Sequence, residues 1–296
     1  DRGWIVTFDP TAVTGIVVWR TVDGGRSWDE TAIPALRSVN WDLEMLSPTV
    51  GWLASDPGGE APKPELRWTH DGGATWSDPI DLAAPARRST LDNISFFDER
   101  NGVATGNETL LATRDGGGTW NITQDNDIGD GIFAGTPPKP SYGPVHLLDG
   151  LRGFVVVRWL RADGSEQIRS IRETEDAGRS WTTRYVDEGR RSWAFIDPSR
   201  WVGTDGERVW TTADGGSTFS VSSSTGLPVV LDSANLQFVD ELNGWAVATG
   251  GPPCKSFGCP ARFFVLFKTA DGGATWAPVG DCGPGTIASC PSPRPS

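Results

Sequence analysis

Short apolar phrases recur along the whole chain, each bounded by Gly or Asp, and none is long or helix-periodic. One set reads Gly3-Trp-Ile-Val, Gly51-Trp-Leu-Ala, Gly102-Val-Ala-Thr, Gly153-Phe-Val-Val, Arg200-Trp-Val-Gly and Gly244-Trp-Ala-Val. A second set precedes it: Ile94-Ser-Phe-Phe-Asp98, Val145-His-Leu-Leu-Asp149, Trp193-Ala-Phe-Ile-Asp197 and Leu236-Gln-Phe-Val-Asp240, with a weaker version at Trp41–Leu46. Runs of this length between turn residues read as strands, and the absence of a 3.6-residue period argues against helices.

A third phrase follows each Gly-Trp strand: Thr-x-Asp-Gly-Gly-x-Ser/Thr-Trp. Its Asp residues are Asp23, Asp71, Asp115, Asp176, Asp214 and Asp271, and its closing aromatics are Trp28, Trp76, Trp120, Trp181, Phe219 and Trp276. Asp-Gly-Gly is hairpin-turn chemistry: the carboxylate accepts from the N–H groups just after it, and the glycines supply positive φ. Six near-identical copies are read as scaffold, since an active site is needed once. Each aromatic is expected to wedge against a neighbouring unit, contributing roughly 2–3 kcal/mol when buried.

Four strands per unit, repeated about every 50 residues, predict an all-β chain folded as a six-bladed β-propeller. Each blade holds four antiparallel strands, with the repeated turn between strands 3 and 4. Seven blades is the alternative if the termini form a degenerate extra one. The blades fall at about residues 1–36, 37–82, 83–134, 135–187, 188–226 and 227–281, as one domain. The first blade lacks its first strand, and the tail 282–296 or upstream residues are expected to complete it.

Composition narrows the partners. The 296 residues include 37 Gly, 22 Pro and 15 Trp, as an all-β, turn-rich chain requires, and carry a net charge of −12. Such a charge disfavours nucleic acid and anionic lipid. No apolar run approaches the ~18 residues of a membrane span. Cys254 with Cys259, and Cys282 with Cys290, lack zinc-site spacing and are read as two local disulfides. That implies a secreted or periplasmic protein whose signal peptide is absent from this sequence. A monomer is expected.

Topology places the candidate site. In an antiparallel blade the 1–2 and 3–4 turns share one face, and here they hardly vary. Length variation falls on the other face, where function usually lives. That face should carry Arg37, Arg87, Arg88, Arg158, Arg161, Arg190, Arg191 and Arg262, a basic crown suited to an anionic ligand or acidic segment at the mouth of a central channel. Asp125–Gly131 has the flavour of a calcium loop without the late Glu, so no metal or cofactor is assigned. Trp159 is weighed as a stacking platform against burial in its strand. His146 is read as structural or channel-lining.

The repeated phrase resembles the Asp box, or BNR repeat, of sialidases, some xyloglucanases, sortilin-type receptors and the photosystem II stability/assembly factor family. The wider phrase Phe238-Val-Asp-x-x-x-Gly-Trp245 … Lys268-Thr-x-Asp-Gly-Gly-x-Thr-Trp276 most resembles the assembly-factor-like propellers. That resemblance implies a non-enzymatic binding or assembly module; with the cysteine pairs and the arginine crown, the expectation is an extracytoplasmic module that recognises a protein segment or an anionic or glycan ligand on the face opposite the repeated turns. The sialidase catalytic set is missing: Asp1–Pro10 holds no Arg-Ile-Pro phrase, and neither Tyr142 nor Tyr185 stands in a late blade. The alternative is a glycoside hydrolase using two loop-face carboxylates drawn from Asp78, Asp81, Asp92, Asp125, Asp127, Asp130, Asp163, Asp187 and Glu188.

Overall fold

The computed structural model describes residues 2–8, 15–33, 40–56, 64–82, 86, 90–125, 139–160, 166–189, 191–227, 234–250 and 263–279. Among these there is no helix, and 24 strands form six sheets in chain order. The chain divides into two compact units, Asp1–Val186 and Asp187–Ser296.

The first unit holds four sheets. The first sheet has β1 (Gly3–Phe8), β2 (Ile16–Thr21) and β3 (Asp29–Ile33). The second has β4 (Asn40–Met45), β5 (Gly51–Asp56), β6 (Glu65–Thr69) and β7 (Ile80–Asp81). The third has β8 (Leu91–Phe96), β9 (Gly102–Gly106), β10 (Thr109–Thr113) and β11 (Asn121–Ile122). The fourth is five-stranded: β12 (Gln124–Asp125) lies outside β16 (Ser180–Asp187), followed by β15 (Glu166–Thr174), β14 (Gly153–Leu160) and β13 (Lys139–Leu147). β12 pairs with β16 in parallel, Gln124 opposite Ser180. So short a segment carries no sequence signal of its own.

The second unit holds two four-stranded sheets. The fifth sheet has β17 (Ser192–Phe195), β18 (Trp201–Thr204), β19 (Arg208–Thr212) and β20 (Ser220–Ser223). The sixth has β21 (Ala234–Phe238), β22 (Gly244–Gly250), β23 (Phe263–Thr269) and β24 (Ala277–Pro278).

The repeated phrase links the last two strands of every sheet and folds the same way six times. The Thr hydroxyl donates to one Asp oxygen at 2.7–2.9 Å, from Thr21 to Asp23 through Thr269 to Asp271. The same Thr oxygen accepts from the N–H of the second glycine, as Gly73 to Thr69 at 2.9 Å. The Ser or Thr before the aromatic donates both N–H and hydroxyl to the Asp, as Thr75 does to Asp71. Both turn glycines take positive φ, and where the fourth sheet has Ala177 instead, that alanine sits at φ 57.

Burial lies between consecutive sheets. Trp52 and Leu66 of the second sheet pack with Phe96, Leu111 and Trp120 of the third. Val103 and Leu110 of the third pack with Val155, Trp159 and Trp181 of the fourth. Val202 and Val209 of the fifth pack with Leu236, Phe267 and Trp276 of the sixth. The second turn glycine is the close-contact point: a Cβ on Gly117 would lie 2.6 Å from Leu66, one on Gly178 2.3 Å from Val103, and one on Gly273 2.8 Å from Val209.

Trp120, Trp181 and Trp276 are buried as expected, but Trp28 is 38% exposed. Trp120 and Trp276 each meet edge-on a phenylalanine from the first strand of their own sheet, Phe96 and Phe238. The first sheet has no such strand among the described residues, so Trp28 lacks that partner.

Candidate functional site

The two sets of short turns lie at the same end of the five sheets that have both among the described residues. The N–H of the first glycine position donates to the 1–2 turn of its own sheet in all five sheets that have one. These bonds are Gly72 to Thr49, Gly116 to Arg100, Ala177 to Leu151, Gly215 to Ser199 and Gly272 to Leu242, at 2.8–2.9 Å. Four of the five 1–2 turns are themselves closed by an aspartate, and the second sheet's by Ser47: Asp98, Asp149, Asp197 and Asp240 each accept two N–H groups three or fewer residues ahead. Those carboxylates and the repeated-turn carboxylates are fully engaged in turn geometry. Hydrogen bonds hold them below the usual range, Asp23 at about 2 chiefly through Ser27, and Asp71 and Asp214 at about 2 chiefly through Thr75 and Thr218.

Of the expected arginine crown, Arg158 and Arg191 lie among the described residues; Arg37, Arg87, Arg88, Arg161, Arg190 and Arg262 lie outside them. Arg158, on β14, is exposed and donates to the Ser141 hydroxyl at 3.1 Å. Arg191 is engaged within the protein: it pairs with the fully buried Asp187 and its guanidinium sits 4.0 Å over the Trp210 ring. Asp187 also accepts from the Trp193 indole at 3.0 Å, which commits it to holding β17 in place. Trp159 is fully buried and donates to Ser170, so its ring is core and not a stacking platform. His146 stands on β13, where burial holds its imidazole below the usual value. The four cysteines and residues 126–131 of the Asp125–Gly131 loop lie outside the described residues. No group of three or more metal-ligating side chains occurs among the described ones.

One electrostatic perturbation has no counterpart in the sequence-based expectations. Asp42 and Glu44 project from β4, and each carboxylate accepts from an N–H of β8: Ile94 to Asp42 and Phe96 to Glu44, both at 2.8 Å. Asp56 does the same for Leu91 at 2.9 Å. Burial pushes Glu44 up to about 8, with a smaller push from the Asp42 charge, against the lowering effect of Phe96 N–H. Asp42 is raised by burial, and so is Asp92, where Asp56 adds to the effect and Arg158 opposes it. The only sequence signal for it is the alternation of acids at Asp42 and Glu44 in the weakest of the first-strand phrases.

Among the described residues, clefts open on the turn side of the second sheet and between the fifth and sixth sheets. One, of about 370 Å³, is lined by Val202, Val209, Ala213, Glu241 and Gly272 between the fifth and sixth sheets. The other, of about 270 Å³, lies over the second sheet's turn beside Trp68, His70 and Trp76. Trp68 and His70 meet at 4.7 Å.

Solved structures resemble this arrangement. YCF48 from Cyanidioschyzon merolae superposes with a TM-score of 0.58 at 16% identity, over 93% of this chain and 83% of that one. The fold is of the β-propeller type. An ulvan lyase of polysaccharide lyase family PL25 matches with a TM-score of 0.52 at 10% identity, over 90% of this chain and 72% of that one. An ancestral GH74 enzyme matches at 0.51 and 11% identity, over 92% of this chain but 48% of its own length. No protein-family model matches the chain, and no curated protein matches it in sequence. Identities this low speak for the propeller fold alone.

Proposed function

We propose that the chain is a single six-bladed propeller serving as a non-enzymatic, extracytoplasmic binding or assembly module. Its ligand, an acidic protein segment or other anionic group, docks on the face away from the repeated turns. The observation that carries this reading is the locking of the two turn sets to each other at one end of every complete sheet. That end is spent on scaffold, and the variable connections are left to the other. Arg158 is exposed in this setting, and its guanidinium is suited to carboxylates or phosphates. The perturbed carboxylates Asp42 and Glu44 each hold an N–H of β8, a packing role that favours binding over hydrolysis. The resemblance of the repeats to assembly-factor-like propellers points the same way.

The test is retention of cellular or secreted partners on immobilised protein, with Arg87, Arg88, Arg158 and Arg190 replaced together by Glu. Loss of the captured acidic partner supports the reading; undiminished capture defeats it. A glycoside hydrolase remains the alternative because a carboxyl group held near pKa 8 is the protonation state a general acid needs. Turnover of any glycan that Glu44→Gln abolishes would replace the binding module with an enzyme.

A further inference from the structure

Each junction between consecutive sheets within a unit presents the same acceptor: the carbonyl of the first glycine position in the next repeated turn. At the first junction Trp4 donates its indole N–H to Gly72 O at 2.8 Å. At the second, Trp52 donates to Gly116 O at 2.9 Å. At the third the strand position holds Val103, and the acceptor, Ala177 O, is reached by the Arg114 guanidinium at 3.0 Å. Arg114 is the residue between the Thr and Asp of its own turn.

The register identifies the same two positions between the fifth and sixth sheets. In five sheets a glycine pairs with the turn Thr: Gly3 with Thr21, Gly51 with Thr69, Gly102 with Thr113, Gly153 with Thr174 and Gly244 with Thr269. In the fifth sheet the residue opposite Thr212 is Trp201. The phrase Arg200-Trp-Val-Gly is therefore one residue out of step with Gly-Trp, and Val202 is the counterpart of Trp4, Trp52 and Val103. The Trp201 indole turns back to Pro198 O at 3.2 Å and meets Phe195 edge-on. The counterpart of Arg114 is Ala213. Both plugging positions are thus small. No donor among the described residues reaches Gly272 O, and the cleft of about 370 Å³ lies there.

We propose that this cleft is a binding site for an alkyl-guanidinium group, the arginine side chain of a partner polypeptide, seated as Arg114 seats itself between the third and fourth sheets. The third junction is the nearest precedent, since it also pairs a valine with an arginine plug. Val202 and Val209 offer an apolar floor for the methylenes, and Gly272 O is the waiting acceptor. The rim carries the Asp271 and Glu241 carboxylates against one cation, Arg200, which Asp197 and Glu241 already pair. An excess of acid at the rim favours a cation over a neutral indole. The site is on the turn side, so it stands or falls separately from the loop-face reading above.

The experiment titrates the full chain with N-acetyl-arginine amide, with N-acetyl-norleucine amide and N-acetyl-tryptophan amide as comparators, following amide chemical shifts. An arginine-containing tripeptide distinguishes a peptide-borne side chain from the free amino acid. The expected result is saturable, weak binding of the arginine probes, with shifts at Ala213 and Gly272. Ala213→Arg, at an exposed position, supplies the missing plug and is expected to weaken that binding at least about tenfold. Glu241→Gln is the second variant, expected to weaken it several-fold and to flatten its salt dependence. The proposal is overturned by absent arginine binding, by binding that both variants leave unchanged, or by tryptophan amide binding in arginine's place.

Discussion

The junction between the second and third sheets and the junction between the fifth and sixth are built on one plan and end differently. In the first of these, Trp52 stacks on Phe96 with centroids 3.6 Å apart and planes 5° off parallel, while Trp120 meets Phe96 edge-on. Two carboxylates of β4 add hydrogen bonds to β8. In the second, Phe238 and Trp276 repeat the edge-on pair, but Val202 stands where Trp52 would, and a cleft opens. The repeated turn sets where the sheets meet, while two residues, one on the strand and one between the turn Thr and Asp, decide whether the next turn's carbonyl is capped: Trp52 caps it at one junction, Arg114 at another, and Val202 with Ala213 leave it without a described donor.

The largest effect should come from emptying the filled seam. Trp52→Ala removes a buried ring, its stack and its bond to Gly116 O, and should cost about 3–5 kcal/mol in urea unfolding. A cost below about 1 kcal/mol would show that the seam does not depend on this plug. Next comes the close-contact glycine. Gly117→Ala places a methyl 2.6 Å from Leu66 at φ 98, and roughly 2–3 kcal/mol should be lost. Gly272→Ala, beside the open cleft, meets only Glu241 O at 3.0 Å and has the precedent of Ala177 in left-handed geometry, so about 1 kcal/mol is expected.

The carboxylates give a pH handle on the same contrast. Glu44 is held near 8 in the folded protein against 4.5 otherwise, so the folded state binds its proton more tightly. Its contribution is therefore complete below about pH 4.5 and is lost as pH rises to about 8, on the order of a few kcal/mol. Glu44→Gln should flatten that slope, and urea midpoints measured at pH 5, 6.5 and 8 would reveal it. The smallest expected effect is a transplant. Val202→Trp should fill the open seam, donate to Gly272 O and raise stability by about 1 kcal/mol or less, with a crystal structure as the check.

Much of the scaffold is legible in the sequence. Asp-Gly-Gly between a Thr and a Trp specifies its turn through local hydrogen bonds alone, and the first strands and Gly-led strands began within a few residues of their phrases. The shared end of the 1–2 and 3–4 turns followed from antiparallel connectivity. The site was less legible. Trp159 sits in a polar stretch, yet alternation buries it, with Arg158 on the exposed side of the same strand. Arg191 looked available, but Asp187 and Trp210 hold it. Aligning Arg200 with the glycines was natural because Trp follows in both cases, and only the pairing of Trp201 with Thr212 corrects the frame.

By itself the sequence determined the all-β class, the repeated unit and the turn that closes it, because turn chemistry acts over a handful of bonds. Only the tertiary structure decided which seams are filled. Whether an indole, a guanidinium or no donor among the described residues reaches the next turn's carbonyl depends on strand register and on residues 63 to 68 positions away, where no local pattern points.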